Sequence, residues 1–186
     1  MGTVQIVIKQ PRVVALKLGN TSMKAKLIPT QNSLHEPTRR TMVELINQEL
    51  ADVLDLGFQA KQAHWNVKGP RFIGLHELFD KVAEELGKFT DDIAERAVEL
   101  GGVALGTIQI VAKQSRLGAY PLNITSGKEH VVALSGALAK FGASTRAAID
   151  TAGKAGDTDT ADLFTEISRG VDKLLWFVEA HIQAKE

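Results

Sequence analysis

Five side chains have the types and spacing of metal ligands: His64, His76, Asp80, Asp91 and Glu95. The pairs His76/Asp80 and Asp91/Glu95 are each spaced four residues apart, so both members of a pair lie on one face of a helix. At about 100° per residue, all four positions share one stripe of roughly 100°. Imidazole and carboxylate groups suit iron, manganese or zinc, so the pattern predicts a metal site.

The distance between the two pairs limits how such a site can be built. Asp80 and Asp91 are eleven residues apart, which is roughly 16 Å along a helix axis. An ion whose ligands lie about 2 Å away cannot contact both pairs in one chain. If both pairs bind one ion, the site must combine two chains, and an antiparallel two-fold crossing of this helix would make two such sites per dimer. Taken singly, each residue also fits an ordinary solvated or helix-end role.

The apolar residues predict the helices that would position these ligands. Three- and four-residue spacings predict a first helix over about 37–65, broken at 66–70, and a second over about 72–100 that stops at Gly101. A capping box of Ser126 and Glu129 opens a third helix over about 126–152, and a fourth covers about 160–184. The segment between the second and third helices is a long link, with room for a short helix. The sequence therefore predicts an all-α, four-helix bundle.

Composition limits the chemistry and separates two regions of opposite charge. With no cysteine among 186 residues, disulfides, thiol catalysis and thiolate metal sites are excluded. Residues 1–35 contain five basic and no acidic residues, whereas the remainder carries seventeen basic and twenty-two acidic residues. We therefore predict a basic arm over residues 1–36 and a helical domain over residues 37–186. The arm would contact a polyanion such as nucleic acid, or only favour solubility.

Three stretches of the chain resemble the Dps proteins, or mini-ferritins. They are KQAHWNVKGPRFIGLHELFD (residues 61–80), DDIAERAVELGGVALGT (91–107) and DTADLFTEISRGVDKLLWFVE (159–179). The resemblance extends over about residues 27–183 and implies a ferritin-like bundle that assembles into a hollow shell of twelve subunits. By motif it assigns His64, His76 and Asp80 to one chain of a shared iron site, and Asp91 and Glu95 to the two-fold partner.

The resemblance also implies an activity. In the family, Fe²⁺ is oxidised at these sites, preferably by hydrogen peroxide, and the ferric product is stored in the cavity, which protects DNA from oxidative damage. The implied metal is iron, with zinc or another divalent metal as an alternative at the same site. Trp65 would serve as a redox-active or radical-quenching ring, or only pack the helix end. Asp162 matches an acidic position in the family's three-fold pores; Asp157 and Asp159 lie nearby.

Two alternatives to a ferroxidase remain at this point. The first is a chiefly DNA-compacting protein, bound through the N-terminal arm, whose metal site is secondary. The second is a bundle that binds another metal without turnover. No segment approaches the roughly 18–20 apolar residues of a membrane span, and we expect a cytoplasmic protein, with nucleoid association if DNA is bound. His35, His130 and His181 are isolated in the sequence, and no role is predicted for them.

Overall fold

Helices dominate the part of the chain that the computed structural model describes, residues 27–184. In chain order they are α1 (Glu36–Asn66), α2 (Phe72–Glu99), α3 (Ile108–Gln114), α4 (Gly127–Lys154) and α5 (Thr158–Glu179). The four long helices form the predicted bundle, and α3 is a short helix within the long link between α2 and α4. The predicted arm falls mostly on residues 1–26, which lie outside the described residues.

The bundle consists of two helical hairpins. α1 packs along α2, α4 packs along α5, and the hairpins meet through contacts of α1 with α4 and of α2 with α5. Their apolar faces form one core, whose largest fully buried side chains include Phe79, Phe141 and Phe164. This core holds α1 and α2 side by side, so that residues near the end of α1 face residues near the start of α2.

The helix ends follow from local sequence. Ser126 caps α4, where its hydroxyl accepts a hydrogen bond from the Glu129 N–H and the Glu129 side chain accepts from the Ser126 N–H, which confirms the predicted capping box. α2 ends before Gly101, whose φ of +82° favours glycine. The last long helix is shorter than predicted: it ends at Glu179, and Ala180 is its C-cap.

Polar contacts fasten the long link onto α1. The Arg116 N–H and Nε donate to the Asp52 carboxylate at 2.7 and 2.8 Å, and the Ser115 hydroxyl donates to Asp55 at 2.5 Å. The Gln59 amide donates to the Gly118 carbonyl at 3.0 Å. Within residues 27–184, no helix is long and apolar enough to cross a membrane.

Candidate metal centre

Two histidines of the candidate site join α1 to α2 through hydrogen bonds. His64 Nδ1 lies 2.7 Å from the His76 carbonyl oxygen, and His76 Nδ1 lies 2.8 Å from the His64 carbonyl oxygen. The rings stack with centroids 3.8 Å apart. Since each imidazole is bonded to the backbone of the other residue, both rings are fixed in place by the packing of the two helices.

This arrangement determines the tautomer of both rings. A carbonyl oxygen can only accept a hydrogen bond, so Nδ1 of each histidine must carry a proton. In a neutral imidazole the other nitrogen, Nε2, then has the free lone pair. A hydrogen bond from one ring nitrogen to a backbone carbonyl is also the usual support for a metal-binding histidine. His64 and His76 therefore present Nε2 as the nitrogen available to a metal ion.

Asp80 lies beside the two histidines and is paired with a lysine. Its Oδ1 is 4.0 Å from Nδ1 of His64 and accepts a hydrogen bond from Nζ of Lys61 at 2.5 Å. The Lys61 ammonium holds the pKa of the Asp80 carboxyl below its ordinary value. Asp80 is thus ionised at neutral pH, and Lys61 neutralises its charge within the single chain.

Asp91 lies about three turns further along α2 than Asp80, and Glu95 one turn beyond Asp91. Both are exposed to solvent. Within residues 27–184 of one chain, no three acidic or histidine side chains converge closely enough to hold a metal ion. Among the described residues of one chain the two histidines contact each other and His64 Nδ1 lies 4.0 Å from Asp80, but these three do not converge as a metal-binding group, and neither does any group that includes Asp91 or Glu95.

Trp65 and Asp162, the other two candidates, are both exposed. The indole of Trp65 is 64% exposed, and the Lys61 ammonium lies 5.8 Å from its ring centroid, within the range of a cation–π contact. Asp162 lies on the exposed face of α5, in its second turn. Neither makes a contact that assigns it a role.

Asp157 differs from its acidic neighbours because it is buried. It is 1% exposed, caps α5, and accepts a hydrogen bond from the Arg96 guanidinium at 2.8 Å. The nearby Asp159 remains exposed. Asp157 therefore cannot line a water-filled pore, and its structural role as a cap and ion-pair partner explains the acidic residue at this position.

Lys61, which contacts both Asp80 and Trp65, was not predicted from the sequence. A signal was available: Lys61 and His64 are three residues apart on α1, so they share a face of that helix. The spacing does not indicate the identity of the α2 residue that this face contacts. That identity depends on how the two helices are aligned.

An open groove of about 350 Å³ runs from Asp80 along the α1–α2 surface. Its lining includes Phe58, Lys61, Glu84 and Gly87. Phe58 is 55% exposed there. Of the candidate ligands, Asp80 therefore lines a partly apolar surface that spans both helices.

Comparison with known proteins identifies the family of the chain. The family model for the ferritin-like domain matches residues 43–186. The "DNA protection during starvation protein" of Agrobacterium fabrum is 46% identical over 156 residues, which cover 84% of this chain and 96% of that protein.

Solved structures are similar as well. DpsC from Streptomyces coelicolor superposes with a TM-score of 0.81 at 30% identity, covering 88% of this chain and 94% of that one. Dps from Microbacterium arborescens, described in a high iron form, has a TM-score of 0.75 at 28% identity, covering 86% of this chain and all of that one. On the family match and the 46% identity, the chain belongs to the Dps family of ferritin-like proteins.

Proposed function

We propose that this protein is a ferroxidase and iron store. It oxidises Fe²⁺, preferably with hydrogen peroxide, at sites shared between two subunits of a hollow dodecamer, and it retains the ferric product inside. The proposed ligands are His64, His76 and Asp80 of one chain with Asp91 and Glu95 of another. The observation that carries the proposal is the crossed pair of histidine hydrogen bonds, which leaves Nε2 of both rings available to a metal, with an ionised Asp80 whose Oδ1 lies 4.0 Å from the His64 ring.

The ligand chemistry supports oxidation of iron. Imidazole nitrogens bind Fe²⁺, and carboxylate oxygens are hard ligands that favour the harder Fe³⁺ product. Reduction of one peroxide to two waters takes two electrons and two protons, so two Fe²⁺ ions are oxidised for each peroxide. This stoichiometry avoids release of hydroxyl radical. Iron is preferred over zinc because iron is named for the Microbacterium arborescens relative, whereas the comparisons give zinc no support.

Complementation between two inactive variants tests whether the site is shared. His76→Ala damages one half of the proposed site, and Asp91→Ala/Glu95→Ala damages the other half. In a mixed dimer, one of the two sites combines both intact halves, because the undamaged residues come from different chains. Co-assembly of equal amounts should therefore restore about a quarter of the wild-type sites.

The measurement is the rate of ferric absorbance after anaerobic mixing of Fe²⁺ with peroxide. Asp92→Ala is the matched control, because Asp92 is an exposed acid on the same turn as Asp91 but points about 100° away. Its rate should equal that of the wild type. Mixed assemblies no more active than either variant alone would contradict a site shared between chains.

DNA binding is a second candidate function, favoured by the name of the Agrobacterium fabrum relative. The basic residues between 9 and 26 would supply phosphate contacts, and twelve copies would multiply weak contacts by avidity. Such a protein would work beside DNA in the cytoplasm. A gel-shift assay should show weaker binding, with a smaller salt dependence, after removal of residues 1–26. Unchanged affinity would exclude the arm as the DNA contact.

A further inference from the structure

Tyr120, the one tyrosine in the chain, is hydrogen-bonded to a histidine. Its hydroxyl lies 2.8 Å from Nδ1 of His130, and the two rings are nearly parallel, with centroids 6.0 Å apart. His130 is 1% exposed. The pair thus joins an oxidisable phenol to a buried imidazole through one short hydrogen bond.

The burial of both groups determines where the proton lies at rest. Burial raises the pKa of the Tyr120 hydroxyl, so the phenol is protonated at neutral pH. Burial lowers the pKa of His130, against the smaller opposing effects of Glu129 and the Asn66 backbone. A neutral His130 with a free lone pair on Nδ1 accepts the phenolic hydrogen bond.

The pair lies close to the end of the helix that supplies His64. Asn66 faces the His130 ring, and the Lys68 N–H donates to the Thr125 carbonyl at 2.9 Å. On its other side, Tyr120 lines an open groove of about 560 Å³. Tyr120 is therefore within reach of small soluble oxidants and is connected through His130 to the end of α1, the helix that supplies His64.

We propose that Tyr120 is a one-electron donor whose phenolic proton passes to His130. The O–H bond breaks, an N–H bond forms at Nδ1, and the electron leaves for the oxidant, so that a neutral tyrosyl radical and an imidazolium remain. The oxidant is hydrogen peroxide at a site that holds one Fe²⁺ ion instead of two. One electron from iron, one from Tyr120 and two protons from solution reduce it to two waters, while the phenolic proton stays on His130.

The radical returns to tyrosine by the reverse route. A later Fe²⁺ ion supplies the electron, becomes Fe³⁺, and His130 returns the proton to the phenolate oxygen. Tyr120 would thus complete the reduction of peroxide when a second Fe²⁺ is absent. This proposal depends on the proposed ferroxidase function for its physiological oxidant, but the reactivity of the pair can be measured without iron.

Rapid-freeze electron paramagnetic resonance tests the pair in the full-length protein. After mixing with peroxide and less than one Fe²⁺ per site, the wild type should give a tyrosyl radical. Incorporation of ring-deuterated tyrosine labels Tyr120 alone, and it should narrow the signal. Tyr120→Phe should abolish the signal, whereas Trp176→Phe, which removes an exposed indole, should leave it.

Hexachloroiridate(IV), an iron-independent one-electron oxidant, separates this proposal from the ferroxidase function. Stopped-flow oxidation of Tyr120 in the metal-free protein should be slower in D₂O. It should also be slower by at least about tenfold in His130→Gln, whose amide oxygen accepts a hydrogen bond but cannot take the proton. Circular dichroism establishes that each variant is folded.

Two results would overturn the proposal. One is equal oxidation rates in H₂O and D₂O for the wild type, a measurement that does not depend on any variant folding. The other is a radical signal that tyrosine deuteration leaves unchanged. If iron and peroxide give no ferric product while hexachloroiridate oxidises Tyr120 with an isotope effect, the ferroxidase proposal fails and the redox pair stands.

Discussion

At the scale of single residues, Lys61 determines the charge of the candidate site. Its ammonium pairs with Asp80 at 2.5 Å and lies over the Trp65 ring. A divalent cation that binds Asp80 must therefore displace Lys61 or share the carboxylate with it. This competition lowers the affinity for the cation by the free energy of the ion pair, and that free energy is small for partly exposed groups.

Replacing Lys61 should strengthen metal binding. In Lys61→Met the Asp80 carboxylate loses its competing partner, so the affinity of the assembled protein for Co²⁺, a slowly oxidised substitute for Fe²⁺, should rise about two- to fivefold. Isothermal titration calorimetry measures this directly. Lys81→Met is the matched control, because Lys81 is an exposed lysine of α2 next to Asp80 in sequence. An unchanged affinity in Lys61→Met would mean that the ion pair does not compete with the metal.

Two glutamates should affect stability in opposite directions as pH changes. Burial raises the pKa of Glu49 above its ordinary value of 4.5. The unfolded chain then releases this proton before the folded protein does, so the contribution of Glu49 to stability falls as pH rises above about 4.5. Glu49→Gln should remove that slope, so that the stability of the variant relative to the wild type rises as pH increases above about 4.5 in thermal unfolding at fixed protein concentration.

The contribution of Glu129 to stability should change with pH in the opposite direction. Hydrogen bonds from Ser126 lower the pKa of Glu129 below 4.5, so its stabilising contribution is present above that pH and is lost as pH falls through the lowered value. Glu129→Gln should therefore lose stability relative to the wild type at neutral pH and match it more closely in acid. Parallel pH profiles for the two variants would contradict both assignments.

At the scale of secondary-structure elements, an ion-pair network with buried carboxylates fixes the long link to the bundle. The Arg116 guanidinium donates to Glu49 at 2.7 Å and contacts Asp52, while the Ser144 hydroxyl of α4 donates to Glu49 at 2.7 Å. One arginine of the link thus joins two carboxylates of α1, and one of these also bonds α4. This network holds α3 and the residues after it against the first hairpin.

The end of α2 depends on a glycine for a steric reason as well as a conformational one. Gly101 has a φ of +82°, and a Cβ at this position would lie 2.5 Å from the Ile28 carbonyl oxygen. Gly101→Ala should therefore lower the free energy of unfolding by about 1–3 kcal/mol. Gly136, within α4, has open space around its Cβ position, and Gly136→Ala should raise stability by about 0.5–1 kcal/mol. Chemical denaturation compares the two, and equal effects would refute the steric argument.

The sequence predicted the elements better than the contacts between them. Apolar periodicity, the Ser126–Glu129 box and Gly101 predicted the helices, because each is a local signal. The Tyr120–His130 hydrogen bond was not predicted from the sequence. It joins the link to α4, and no local sequence pattern pairs these two residues. The end of the last helix was placed five residues too late, because the apolar pattern continues past Glu179 through Ile182.

At the scale of the whole molecule, we propose that the exposed groove of α1 and α2 is the surface that a second copy covers. Phe58 is 55% exposed in this groove, close to Lys61 and Asp80. Burial of such a ring in an interface stabilises assembly through the apolar area removed from water. Since the proposed ligands come from two chains, the same surface would supply both assembly and activity.

Disruption of this surface should abolish assembly and activity together. Phe58→Glu introduces a charge where the partner would pack, so the assembly should dissociate and peroxide-dependent iron oxidation should fall to background. Phe58→Leu, which keeps the surface apolar, should retain both properties. Size-exclusion chromatography with light scattering and the ferric absorbance assay measure the two effects. A dissociated Phe58→Glu protein with wild-type activity would contradict the shared site.

The crossed hydrogen bonds between His64 and His76 have a further consequence for metal removal. They orient both rings through backbone that folding has already ordered, so little conformational entropy remains to be lost when an ion arrives. Zinc fingers, which unfold without metal, are the opposite case. Chelation should leave the helical circular dichroism and the unfolding temperature nearly unchanged, and a marked loss of either would show that metal orders the site. A protein built in this way can be emptied and refilled many times without passing through an unfolded state.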